Sequence, residues 1–109
     1  MPAVTLLIDK SLGLDAAMCA QVAHEAVKNG IGKPDQYITV AVTLADCVTV
    51  GGKPQSVLAH VDSIGGSFSG FVRALCEGFA PMGVQAANIT ATFRSVTTKE
   101  FAMNGAPLG

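Results

Sequence analysis

The chain lacks most of what betrays a specialised partner. Its 109 residues hold seven Lys and Arg against eight Asp and Glu, a formal net charge of −1. That balance leaves no basic footprint for nucleic acid or an anionic membrane, so neither is expected as a partner. No apolar run reaches the length of a membrane span. No basic leader precedes the first apolar stretch, which Asp9 and Lys10 interrupt, so a signal peptide is not expected. Cys19, Cys47 and Cys76 are odd in number, widely spaced and form no CxxC pair. This argues against a disulfide framework and thioredoxin-like chemistry, and a reducing, cytoplasmic location fits. His24 and His60 stand at neither HxH nor HExxH spacing, so no metal site is expected. "GGSFSG" has no GxxxxGK[ST] frame and therefore reads as a tight turn, not a phosphate loop.

What the chain does have is apolar material. Half of its residues are hydrophobic, enough for one core, and the length suits a single domain over residues 1–109. A core this small is marginal, and oligomerisation is a natural supplement.

The pattern along the chain is strand, helix, strand, twice over. Pro2–Ile8 reads as a strand, with proline tolerable at its first position. Asp15 to about Asn29 reads as a helix with Met18, Val22, Ala26 and Val27 on its apolar stripe, stopped by "NGIGKP". Gln36–Val42 is a second strand, and Gly51, Gly52 and Pro54 mark a turn after it. "SVLAHVDSI" is a third strand. A helix near Ser69–Ala80 follows, with Phe68, Val72, Leu75, Cys76 and Phe79 on one side. "NITATFR" is a fourth strand, and the tail has room for a short edge strand around Phe101. Cys19 and Cys76 fall on or near the helix stripes and read as buried small hydrophobes.

A weak repeat underlies this order. Gly32 precedes Ile38 by six residues, Gly83 precedes Ile89 by six, and threonine follows both isoleucines. Chance similarity between helix–turn–strand units is the alternative. The expected fold class is α/β (α+β): a duplicated β-α-β unit forming a four-stranded mixed sheet with both helices on one face. The other sheet face then lacks cover. Val4, Leu6, Val40, Val42 and Val61 look like more apolar surface than two helices can bury, which points to packing against further copies.

Four stretches then stand out together: "MP" at the start, "GKPDQYITVAV" at 32–42, "SIGG" at 63–66 and "NG" at 104–105. In this order and spacing the chain resembles the macrophage migration inhibitory factor family of the tautomerase superfamily. The resemblance implies a homotrimer around a sheet-lined barrel, with a pocket between subunits and no cofactor. It implies keto–enol tautomerisation of phenylpyruvate-type α-keto acids and dopachrome-like compounds by an N-terminal proline that Met1 removal frees. The catalytic positions fall on Pro2 and Lys33. The substrate-binding positions fall on Ser63 and Ile64, on Asn88 and Thr90 in the fourth strand, and on Phe101 and Met103 in the tail. The family's pocket tyrosine is replaced by Asn88, its asparagine by Thr90 and its tail tryptophan by Met103. Ser56 and Ala59 stand where one member carries a CxxC pair, so thiol–disulfide activity is not expected. Two other readings remain at this level: a cytokine-like binding protein, secreted without a signal peptide and with little turnover, and a purely structural oligomer. Taken alone, "MP" reads as an ordinary strand start.

If Met1 is trimmed, Pro2 becomes a secondary amine. An α-amine has an ordinary pKa near ~8, which burial or a nearby cation lowers. Lys33 supplies such a cation. A neutral Pro2 takes the acidic C–H proton beside a keto group, Lys33 attracts the carboxylate and the enolate charge, and the Ile64 N–H holds another oxygen.

Overall fold

The computed structural model describes residues 1–109. Strand β1 (Pro2–Asp9) leads through a short 3-10 turn to helix α1 (Ala16–Gly30), then β2 (Thr39–Ala45). Strand β3 (Val57–Ser63), helix α2 (Phe68–Phe79) and β4 (Ile89–Ser95) repeat the unit, and a two-stranded hairpin, β5 (Ala102–Met103) and β6 (Ala106–Pro107), ends the chain. The main sheet runs β2-β1-β3-β4. β1 is parallel to β2, β3 is parallel to β4, and the two halves join antiparallel through β1 and β3. No helix is long and apolar enough to cross a membrane.

The repeat read from glycine and isoleucine spacing has a structural counterpart. A 3-10 turn immediately precedes each second strand, Asp35–Tyr37 before β2 and Ala86–Asn88 before β4. Ile38 and Ile89 close these turns in extended conformation, at φ −101° and −121°. The turn after Pro34 also explains why β2 begins three residues later than the Gln36 expected. Its residues close i→i+3 bonds, Tyr37 N–H to Pro34 and Ile38 N–H to Asp35, before the chain extends.

Both helices are capped by side chains: Asp15 accepts from the Met18 N–H and Ser67 from the Gly70 N–H. They cross at two glycines. A Cβ on Gly30 would stand 2.5 Å from the Gly70 carbonyl oxygen, so no larger residue fits without separating the helices.

The stripes that meet the sheet are turned slightly from the expected ones. In α1 the buried line is Cys19, Ala23, Ala26 and Val27, while Met18 is 58% exposed. In α2 it is Phe71, Leu75 and Phe79, and Phe68 lies at the margin against the Phe93 ring, 5.4 Å between centroids. One residue is a 100° rotation on a helix, and the close helix crossing decides which rotation is used. Phe71 and Phe79 are fully buried, each contributing roughly 2–3 kcal/mol by the area it removes from water.

The expectation about surplus apolar strand residues is corrected. Val4, Leu6, Val40, Val42 and Val61 share one side by alternation and register, and all pack in or against the core under the helices. Val4, Leu6 and Val61 are fully buried there. The uncovered face is mostly polar: Thr5, Thr43, Thr90 and Thr92, with the apolar pair Leu7 and Leu58 at one end. Two helices suffice for the apolar face because small residues bring them close.

Candidate active site

Pro2 opens β1 where the strand needs no further N–H donor, pairs with Ser63, and is fully buried. With Met1 attached, its nitrogen is a tertiary amide without a proton to exchange. The Met1 carbonyl accepts the Ile64 N–H at 3.4 Å, and the Ile64 carbonyl accepts from Lys33 Nζ at 3.0 Å. Lys33 reaches this point because α1 ends sharply. The N–H groups of Ile31 and Gly32 both return to the Val27 carbonyl, and Gly32 sits at φ +84°, a left-handed turn that costs glycine little. The Met1 ammonium is held below the ordinary α-amine range, first by burial and then by the Lys33 charge. The Ser63 hydroxyl is used inside the turn: buried, it donates to the Gly65 carbonyl at 2.7 Å.

The other expected residues lie elsewhere in the chain. Along β1, Pro2 pairs with Ser63 and Ile8 with Val57; along β4, the same two levels are Ser95 and Ile89. Six residues of strand separate them, roughly 20 Å. Asn88 immediately precedes Ile89 and Thr90 immediately follows it, so both sit at the far end from Pro2. Asn88 Nδ2 donates to Ser56 Oγ at 3.1 Å, and Thr90 is exposed beside Leu58 on the open face.

Phe101 and Met103 are half-buried on the terminal hairpin, which is not part of the main sheet. Its turn is Asn104-Gly105, both at positive φ (55° and 81°), the two-residue geometry that suits a tight hairpin. The single edge strand expected around Phe101 is therefore a hairpin beginning one residue later. A single chain thus brings together Pro2, Lys33, Ser63 and Ile64, and leaves Asn88 and Thr90 apart from them.

Sequence reasoning missed three polar groupings. Asp9, read as part of a connection, is buried at the end of β1 and accepts four hydrogen bonds: the Ser11 N–H and hydroxyl, and the N–H groups of Val48 and Gln55. These bonds, the one from Val48 first, hold its carboxyl well below the usual range. Asp9 thereby fastens the 46–56 loop. The serine two residues after it is the available sequence signal, because aspartate closes such turns on the chain ahead. On the open face, Asp62 accepts both Arg94 Nε at 3.0 Å and Nη2 at 3.1 Å, and His60 bridges Asp62 and Thr92. On the helix side, His24 pairs with Asp35 at 2.8 Å. The Asp62–Arg94 and His24–Asp35 pairs have no local spacing signal, since their partners meet across strands or loops, whereas His60 and Asp62 stand two residues apart on one strand.

No family model and no curated protein sequence matches the chain. Solved structures do. A macrophage migration inhibitory factor homologue from Prochlorococcus marinus superposes with a TM-score of 0.81 at 21% identity, covering 98% of this chain and 99% of that one. The Toxoplasma gondii macrophage migration inhibitory factor gives 0.76 at 25% identity, covering 95% and 97%. A fused 4-OT, solved as a symmetric trimer, gives 0.76 at 17% identity, covering 94% and 92%.

The fold is that of the tautomerase superfamily.

Within the tautomerase fold, the pairing of Lys33 with Ile64 beside the chain's amino terminus is the arrangement with chemical potential. Lys33 is tied to Ile64, Ile64 to Met1, and the Met1 amine is of lowered basicity next to Pro2.

Proposed function

We propose that this chain is a keto–enol tautomerase of α-keto acids, with phenylpyruvate as the reference substrate, acting as a homotrimer after loss of Met1. The observation that carries the reading is the Lys33–Ile64–Met1 chain of contacts, with the terminal amine depressed by burial and by Lys33. Removing Met1 has two effects. Pro2 becomes a secondary amine in the same environment, and the Ile64 N–H loses its carbonyl partner and becomes free to bind a substrate oxygen.

The Lys33 ammonium pairs with the substrate carboxylate. Neutral Pro2 takes a proton from the carbon beside the keto group, and that C–H bond pair becomes the C=C bond of an enolate. The carbonyl oxygen carries the charge, stabilised by the Lys33 cation and the Ile64 N–H, and receives the proton to give the enol. The reverse sequence returns the keto acid. Because the proline ring restricts the amine, little orientation is lost on binding.

The trimer is supported by the separation of Asn88 and Thr90 from Pro2, which a neighbouring copy can close, and by the trimeric fused 4-OT with the same fold. The residues Asn88, Thr90 and Met103 also support a second reading, a cytokine-like binding protein with little turnover. An assay separates the two. Protein shown by mass to lack Met1 is expected to speed phenylpyruvate enol–keto exchange, and a Pro2→Gly variant to lose about 10²–10⁴-fold. Equal, near-background rates for both, with phenylpyruvate and with aliphatic α-keto acids alike, would leave the binding-protein reading.

A further inference from the structure

The groove at the far end of the sheet is lined by amides, with no aromatic ring. Leu12, Pro54, Gln55, Val84, Gln85 and Asn88 bound a space of about 260 Å³. The orientation of the Asn88 amide follows from its neighbour. Ser56 is fully buried, and its hydroxyl donates to backbone carbonyls, that of Lys53 at 2.9 Å with that of Pro54 at 3.3 Å. Its oxygen can therefore only accept from Asn88, which turns Nδ2 inward at 3.1 Å. The Asn88 Oδ1 is left without a hydrogen-bond partner in the chain, as a fixed acceptor at the groove.

The position of the groove is also held rigidly. The Gln55 N–H donates to the buried Asp9 carboxylate at 3.0 Å, with Gln55 at φ +58°, and the Asn88 N–H closes on the Gln85 carbonyl at 2.9 Å. The acceptor is thus pre-oriented by backbone that has little freedom to move.

We infer that the substrate carries a hydroxyl donor at the end remote from its carboxylate, received by Asn88 Oδ1: a short hydroxylated aliphatic α-keto acid, not an aryl one. This rests on the proposed shared site, in which one copy's Pro2 and Lys33 face this groove of a neighbour. Lys33 holds the carboxylate, Pro2 works at the carbon beside the keto group, and Asn88 reads the distal group. A phenyl ring in the same place would cover the Asn88 carbonyl without satisfying it, which a site built on hydrogen bonding disfavours.

The test compares three keto acids on the Met1-free protein, following C3 deuterium exchange by proton NMR: 4-hydroxy-2-oxobutanoate, 2-oxobutanoate and phenylpyruvate. The expected kcat/KM for the hydroxylated acid exceeds both others by about tenfold or more. In Asn88→Leu, the ratio between the hydroxylated acid and 2-oxobutanoate falls to about one. Equal rates for these two acids in the unmodified protein, or phenylpyruvate as the fastest of the three, overturn the inference and leave the tautomerase reading standing. Absence of exchange with all three overturns both. The substrate comparison needs no variant and decides the matter even where Asn88→Leu does not fold.

Discussion

The two ends of the central sheet are built to different degrees of completeness. At the Pro2 end, three segments of one chain already touch: the amino terminus, the loop after α1 and the turn after β3 meet through Lys33, Ile64 and Met1. At the other end, Asn88 is oriented just as firmly through Ser56, yet no candidate base or cation for α-keto acid chemistry stands opposite it. A rigid half-site at each end of a strand about 20 Å long is wasteful in a monomer and efficient in a cyclic oligomer. There, the head of one copy can face the tail of the next.

The sharpest way to break that comparison is to disable each end in a separate chain. Pro2→Gly replaces the ring-held secondary amine with a freely turning primary amine, and Asn88→Arg fills the groove. Each homogeneous protein is expected to be strongly impaired, by about 10²-fold or more. Co-refolded at equal amounts, about a quarter of the sites in a cyclic trimer would combine an intact Pro2 with a neighbour's intact Asn88. Recovery of phenylpyruvate exchange on mixing is the expected result, and a mixture as impaired as its parents would place both residues in one chain's site or in none.

A smaller effect belongs to Lys33. Lys33→Ala is expected to lower kcat/KM by about 10²-fold through lost charge stabilisation. It also moves the pH profile in a definite direction. The proposed reaction needs neutral Pro2, so its rate would rise as pH passes the amine's pKa, and Lys33 lowers the pKa of the amine at this terminus. Without the cation that pKa rises, and the acid limb shifts to higher pH. An unshifted limb with a lowered rate would limit Lys33 to holding the carboxylate.

The smallest effect on catalysis, and a clear one on stability, is expected from Asp9→Asn. The Asp9 carboxyl is depressed in the folded chain, so its contribution is complete above the ordinary carboxylate value near ~3.9 and is lost as pH falls through its lower folded value. The variant should melt below the wild type at neutral pH, and the gap should close on acidification. Because Asp9 fastens the loop that carries Gln55, a change in substrate ratio larger than the change in rate would show that the far groove depends on this anchor.

The strand–helix order and its repeat were readable from local signals: apolar periodicity, glycine and proline stops, and the Gly-to-Ile spacing that became two equivalent 3-10 turns. The Pro2–Lys33–Ile64 grouping was readable only through resemblance, because nothing in local spacing says that residues 2, 33 and 64 meet. The buried line of each helix was read in part. Ala26, Val27, Leu75, Phe79 and Cys19 are buried as expected, while Met18 is exposed and Phe71, not Phe68 or Val72, completes the line of the second helix. Periodicity measures a stripe's existence better than its rotation, and here the Gly30–Gly70 crossing sets the rotation. The open sheet face was expected to be apolar because valines were counted without their register.

The sequence by itself determined the elements, their order, the duplicated plan and the presence of a proline directly after Met1, since these depend on neighbours a few residues apart. Only the tertiary structure decided which side chains share a site. Strand register sends Asn88 and Thr90 to the end opposite Pro2, and a buried serine with one proton to give turns the Asn88 acceptor outward. Both facts depend on contacts between residues more than thirty positions apart, which no local pattern encodes.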